Sequence, residues 1–364
     1  AIEMVPGRMG SIRGGASFDV ECVVQPVTGR PVKVVAQAAL PASFPHAAFN
    51  GRIDLQFAGS RDALDEAVRD ADVLYTVTVP SIVPAETPDL QWIEMESAGV
   101  EWLRDLPVWK SDVIITSSKG IHTVPMAEHL FAMLLALVRS LPAVIRAQER
   151  HEWIQNTDFP MHELRGRTMG IIGWGKIGDG VAHLAEAFGM RVIGTRRSVR
   201  EPSEVGATAT AYSNPPFLEP VANAPNVVYP ESDLHVVLAE SDAIVLILPL
   251  TAQTEGLLGD AEFAAIKEGA LLLNMGRGAV VQEDALVRAL QSGRLGGAGL
   301  DVFAQEPLPA SSPLWAMPNV IVSPHLGGRG ERTSDRAAHL FAVNLRRYLE
   351  GQPLINVVNR EQEY

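Results

Sequence analysis

The sequence of 364 residues holds a single cysteine, Cys22, so neither an internal disulfide framework nor a cysteine-rich zinc site can be built from it. Long apolar runs are missing as well. The longest uninterrupted one, Leu130 to Val138, is nine residues, and a bilayer-spanning helix needs about twenty. Basic side chains are in deficit, 30 Lys and Arg against 43 Asp and Glu, for a formal net charge of −13. That balance, with no basic–aromatic interleaving, argues against nucleic acid or an anionic membrane surface as a partner. The first thirty residues, rich in Gly, Pro and Arg, lack periodicity and the apolar segment of a secretory signal. They read as an extension outside the folded body, and a cytoplasmic location is expected. What remains is ordinary globular usage, 47% hydrophobic and 20% charged. At roughly 150 residues per domain it suggests two domains.

Strand-like and helix-like stretches alternate from Val32 onward. VKVVA is a β-branched run suited to a buried parallel strand. The acidic stretch SRDALDEAVRDA follows as a helix, with Ser60 as N-cap and Leu64 and Val68 four apart. DVLYTVTVP, stopped by Pro80, then LQWIEMESAG and DVIITSS read as further strands. A helix from about Thr123 to Val138, almost without polar residues after His129, must be buried on most of its surface. It belongs between domains or at a subunit boundary. A second cycle opens at Thr168 with the strand TMGIIG, the helix GKIGDGVAHLAEAFGM and the strand RVIGTRRS. After a Pro-, Asn- and Ala-rich tract over 199–232, alternation resumes through to the strands GAGLDV and NVIVSPH. RTSDRAAHLFAVNLRRYLEG reads as a helix with Ala338, Phe341 and Leu345 on one face, packing back on the first domain. The fold class expected is α/β, with two doubly wound parallel-sheet domains, Rossmann-like and flavodoxin-like, and a cleft between them.

Gly173, Gly175 and Gly178 form G-x-G-x-x-G between a strand and a helix that Lys176 and Ile177 open. The first glycine permits a tight turn, the second lets backbone approach a pyrophosphate, and the third lets helix and strand pack closely. About twenty residues on, where an NAD-selecting fold places a carboxylate, the chain has Thr195, Arg196, Arg197 and Ser198. Guanidinium and hydroxyl groups there suit a 2′-phosphate, so NADP(H) is the preferred cofactor, with NAD(H) the alternative. The 199–232 tract reads as a surface excursion over the adenine end.

Arg277 follows one strand in NMGRG, Asp301 and Glu306 surround the end of another in GLDVFAQEP, and His325 ends a third in IVSPH. Carboxyl ends of strands are where ligands sit in such sheets. Arginine to hold a carboxylate, histidine to move a proton and glutamate to hold the histidine would make a hydride-transfer site for an oxo acid. With GWGKIG, LPLTAQTEGLL, LLLNMGRGAVV, GLDVFAQEPLP and SPHLGG in this order, the chain resembles the D-isomer-specific 2-hydroxyacid dehydrogenase family from about Val32 onward. The resemblance implies Arg277, Glu306 and His325 as catalytic residues. It implies Asp301 near the nicotinamide amide and Pro249 and Thr254 along the cofactor groove, with Met275 and Gly327 also beside the cofactor. It further implies a discontinuous layout. Residues 31–135 and 326–364 form a substrate domain, 136–325 a dinucleotide-binding domain, and 1–30 the extension.

Substrate contacts are expected from Thr78 and Val79 and from the loop ESAGVEW, where the N–H groups of Ala98 and Gly99 would hold the anion with Arg277 and His325. Glu101 stands where family members often carry Asp. His122, Glu128 and His129 do not match the metal-binding H-E-x-x-H spacing, and their segment reads as structural, with no metal expected. Cys22, in the extension, is not a candidate nucleophile. The expected activity is NADPH-dependent reduction of a small 2-oxo acid to the D-2-hydroxy acid by a homodimer. The alternatives are an NAD-dependent, phosphoglycerate-type dehydrogenase and a non-catalytic dinucleotide sensor.

Overall fold

Alternation in the run Val32–Ala36, the first strand (β1), builds two cores at once. Val32, Val34 and Ala36 face one side of the sheet and Val35 the other. The computed structural model describes residues 29–155, 160–205 and 225–361. The expected extension therefore lies almost wholly outside the described residues. After β1 come β2 (Ile53–Phe57), α1 (Arg61–Ala67), β3 (Val73–Thr76), β4 (Trp92–Met95) and β5 (Ile114–Ser117). These strands form a parallel five-stranded sheet in the order β2-β1-β3-β4-β5. Ser60 caps α1, its hydroxyl accepting from the Ala63 N–H at 3.2 Å.

The chain then crosses over through α2 (Thr123–Val138) and α3 (Leu141–Glu149). It goes on through β6 (Thr168–Ile172), α4 (Lys176–Ala187), β7 (Arg191–Thr195), β8 (Ser203–Val205), β9 (Asn226–Tyr229) and α5 (Leu234–Glu240). Next are β10 (Ala243–Leu246), α6 (Asp260–Ala265), β11 (Ala270–Asn274), α7 (Glu283–Gln291), β12 (Leu295–Leu300), β13 (Val320–Val322) and α8 (Thr333–Leu349). The second sheet has eight strands in the order β13-β12-β11-β10-β6-β7-β9-β8, all parallel except β8, which runs antiparallel to β9. Strand order reverses between β6 and β10, the place where such sheets open a crevice for ligands.

Helix α8 returns to the first sheet. Ala338, Phe341 and Leu345 are buried there against β1, Tyr75 and Trp92, and the Tyr75 and Phe341 rings stack 4.6 Å apart. Helix α2 goes to the second sheet instead. Leu130, Phe131, Met133, Leu134 and Val138 share a core with Met169, Ile171 and Val245, so the 135 boundary expected from sequence cuts through a helix that packs as one piece. No single helix among the described residues is long and apolar enough to cross a membrane.

One expectation needs correction, and one strand was not foreseen. The 199–232 tract is not simply a surface excursion: Asn226–Tyr229 is a sheet strand paired with β7, and Ser203–Val205 edges it. Four residues of NVVY among Pro, Asn and Ala give too little periodicity to be read. Residues 206–224 of the tract lie outside the described residues, and with them any cover over an adenine. Strand β2 went unread because, at a sheet edge, Ile53 and Leu55 are only half-buried and their neighbours are polar.

Candidate active site

The dinucleotide loop runs from the end of β6 into α4. Gly173 has φ +94°, and a Cβ there would meet Leu248 Cδ2 at 2.8 Å and the Ile247 carbonyl oxygen at 2.9 Å. Gly178 packs under Trp174 and against Ile171. A Cβ on Gly175, by contrast, would meet nothing within 4 Å. Open space above the helix N-cap, with N–H groups pointing into it, fits the pyrophosphate of a dinucleotide. At the end of β7, Thr195 is buried while Arg196, Arg197 and Ser198 are exposed. Thr254 Oγ1 donates to the Pro249 carbonyl at 2.7 Å and accepts from the Thr251 N–H at 2.8 Å, closing the turn after β10.

The strand ends of β11, β12 and β13 carry the polar side chains expected to do chemistry. His325 Nδ1 donates to Glu306 Oε2 at 2.8 Å, and the other Glu306 oxygen accepts from the Phe303 N–H at 3.0 Å. His325 has φ +55°, which a residue with a side chain adopts only when its surroundings compel it. Here they do. Its N–H donates to the Asp301 carbonyl at 2.9 Å, and the Asp301 carboxylate, 2% exposed, accepts from the N–H groups of Leu326 and Gly327, each at 2.8 Å. Ser323 Oγ also donates to Asp301, at 2.6 Å, and in turn accepts from His129 Nε2 at 2.9 Å. His122 Nδ1 donates to the Gly328 carbonyl at 2.8 Å. Both histidines of α2 and its N-cap thus tie that helix to the loop that presents His325. Asp301, which the resemblance places near the nicotinamide amide, clamps the His325 loop through these contacts. Met275 is buried beneath Gly327, where an added Cβ would strike its methyl group.

From the first sheet, the loop after β4 meets Arg277. Arg277 Nε donates to Glu101 Oε1 at 2.5 Å and Nη1 to the Gly276 carbonyl at 2.9 Å, while a Cβ on Gly99 would collide with Nη2. Burial pushes the Glu101 carboxyl up, but the hydrogen bond and charge of Arg277 outweigh it and hold the group below the ordinary carboxylate range. Ala98 is half-buried beside Gly99. Thr78 and Val79, with Gln37, Arg61, Leu64, Asp65 and Pro80, line a cavity of about 230 Å³. Ser323 and Lys119, the latter on the loop after β5, were not singled out in the sequence, and His129 was read there only as structural. Position at a strand's carboxyl end was the available signal for Ser323 and Lys119.

A family model described as the NAD-binding domain of D-isomer-specific 2-hydroxyacid dehydrogenases matches residues 131–219 and 206–327. A glyoxylate reductase of Aeropyrum pernix is 33% identical over 82% of this chain and 86% of its own length. A D-isomer-specific 2-hydroxyacid dehydrogenase family protein of Aeromonas salmonicida superposes with a TM-score of 0.73 at 33% identity, over 91% of this chain and 99% of that one. An NADPH-dependent glyoxylate/hydroxypyruvate reductase of Sinorhizobium meliloti, solved with NADP and sulfate, gives 0.72 at 28% identity, over 92% and 100%. Sequence, fold and strand-end chemistry agree, and the chain belongs to the D-isomer-specific 2-hydroxyacid dehydrogenases, NAD(P)-dependent oxidoreductases acting on a CH–OH group.

Proposed function

We propose that the protein reduces small 2-oxo acids, glyoxylate or hydroxypyruvate first among them, to D-2-hydroxy acids with NADPH. The observation that carries this reading is the His325–Glu306 pair at 2.8 Å, set at strand ends that also present Arg277. With Nδ1 committed to Glu306, Nε2 is the ring nitrogen left to exchange a proton with the substrate oxygen. Arg277 has Nε on Glu101 and Nη1 on Gly276, which leaves Nη2, over Gly99, for the carboxylate of the oxo acid. The N–H groups of Ala98 and Gly99 would take its other oxygen. The nicotinamide, when bound, supplies the hydride.

The cofactor preference rests on Thr195, Arg196, Arg197 and Ser198 at the end of β7, where an NAD-selecting fold has a carboxylate. The NADP bound to the Sinorhizobium relative supports it. Gly173, Gly175, Lys176, Ile177 and Gly178 would hold the pyrophosphate, with Pro249, Thr254, Met275 and Gly327 along the groove. Residues 31–135 and 326–364 form the substrate half and 136–325 the dinucleotide half in this reading, except that all of α2 packs with the dinucleotide half. Thr78 and Val79 face the variable end of the substrate only if it reaches the Gln37–Arg61 cavity. Val124, Leu141 and Ile145, exposed on α2 and α3, support a homodimer through that surface.

The test is loss of reduced-cofactor absorbance with glyoxylate, hydroxypyruvate, pyruvate, 2-oxobutyrate and phenylpyruvate, each with NADPH and NADH. Turnover of the two-carbon or three-carbon acids favouring NADPH is expected. A preference for NADH discards the NADP assignment and keeps the chemistry. Folded, cofactor-binding protein that turns over none of them overturns the reading.

A further inference from the structure

The loop after β5 belongs to the first sheet but lies on the phosphate loop of the second. A Cβ added to Gly120, whose φ is +101°, would sit 3.2 Å from Lys176 Cδ and 3.7 Å from its Nζ. Three residues further on, Thr123 Cγ2 is 2.7 Å from where a Cβ on Gly180 would be. Residues 120 to 123 therefore run along the first turns of α4. The loop is anchored from behind by Asn356, whose Nδ2 donates to the carbonyls of Lys119 (2.8 Å) and Ser117 (3.2 Å). Lys119 is thus fixed at the N-terminal end of α4 next to Lys176, and its exposed side chain reaches water there. Arg196 and Arg197 come to the same end from β7, the strand beside β6.

These cations sense one another. Partial desolvation beside the facing wall, and then the charges of Lys176, Arg197 and Arg196, hold the Lys119 ammonium below the ordinary lysine range. Like charges gathered at the positive end of a helix dipole repel it and each other. A bound polyanion reverses the sign of every one of those interactions.

We propose that Lys119 is a further phosphate-binding residue for the dinucleotide, so that the cofactor's phosphates are held from both sheets and not from the glycine loop and β7 alone. The proposal rests on the dinucleotide reading above and adds to it a contact that exists only when the two walls stand close.

The experiment is calorimetric titration of NADPH and NADH into wild type, Lys119→Met and Lys119→Arg at low and at moderate salt, with the Arg196→Ala/Arg197→Ala protein alongside. Lys119→Met should weaken binding about five- to twentyfold, the size of one charged hydrogen bond, and make affinity less salt-dependent. Lys119→Arg should recover most of the loss. Weakening confined to NADPH assigns the lysine to the 2′-phosphate, and equal weakening for both dinucleotides assigns it to the pyrophosphate. Affinities within about twofold of wild type for both dinucleotides overturn the proposal. A wild type that binds NADH as well as NADPH removes the NADP assignment and leaves the lysine to be judged on its own ratio. A wild type that binds neither removes both.

Discussion

The two sheets share an architecture, parallel strands presenting loops at their carboxyl ends, yet they hold their functional groups in different ways. On the second sheet the proton-transfer pair is pinned within its own wall: Glu306 by the Phe303 N–H, and the His325 loop by the Asp301 carboxylate. On the first sheet the chemistry-bearing group nearest the site, Glu101, is fixed through Arg277, which belongs to the opposite wall. The proton-transfer side is therefore organised before anything binds, and the anion-binding side is completed by contact between walls. Energetically this puts rigidity where a sub-ångström error in proton transfer is costly, and leaves adaptability where substrate must enter.

The largest effect expected from this division is at His325. His325→Ala should lower kcat by about 10²–10⁴, the usual worth of a positioned general acid. NADPH affinity, measured by calorimetry, should stay within about threefold of wild type, because none of the glycine-loop contacts involves the ring. A comparable loss of cofactor binding would erase the distinction between the walls.

The sheets also differ inside. The central strand β10 of the second is apolar on both faces, with Ala243 and Val245 on one side and Ile244 and Leu246 on the other. The first carries a carboxyl in its core: Glu94, on the α8 side of β4, accepts from Thr116 Oγ1 at 2.7 Å and Asn344 Nδ2 at 2.8 Å, and its second oxygen has no partner. Burial pushes its pKa from the ordinary 4.5 up to about 7, against the lowering effect of those two bonds. The folded protein then keeps a proton that the unfolded chain has released, so this group's contribution to stability declines from pH 4.5 to 7 and is level beyond. The decline amounts to about 3.5 kcal/mol, at about 1.4 kcal/mol per pH unit of difference. Glu94→Gln removes it. Relative to wild type, the variant's urea midpoint should rise between pH 5 and pH 8; a constant difference across that range would show that Glu94 is not carrying the proton.

Legibility in the sequence follows the same line between contacts made along the chain and contacts made through space. Helix α2 could be read to its end residues because Thr123–Val138 is an unbroken helical pattern with an apolar core. Arg277, Glu306 and His325 could be read because each stands beside glycine or proline at a strand end, inside a motif. Helix α3 could not, being nine residues long with Leu141 and Ile145 exposed. Lys119 and His129 have no local motif. Their partners are 57 and 194 positions away for Lys176 and Ser323, and only the folded chain brings them together. On the substrate wall, Thr78 and Val79 were chosen as strand-end residues, and their neighbour Gln37, some forty positions away, could not be read from any local motif.

The finest test of the comparison is Gly99→Ala. Gly99 is the point at which the first wall gives way to the second: its missing side chain is the space occupied by the Arg277 guanidinium, and Glu101 Oε2 lies 2.9 Å from the same spot. An added methyl cannot be accommodated by backbone movement alone, because Ser97 Oγ donates to the Gly99 carbonyl at 3.0 Å and holds the loop. The far end of Arg277 must move, and with it the nitrogen proposed to take the substrate carboxylate. The expected result is a rise of about tenfold in KM for the oxo acid, the cost of one displaced charge-assisted contact, with NADPH affinity unchanged. If KM were untouched while kcat fell, Arg277 would be acting on the carbonyl in the transition state and not on the carboxylate. In that case the first wall, like the second, would be part of the machinery of the chemical step.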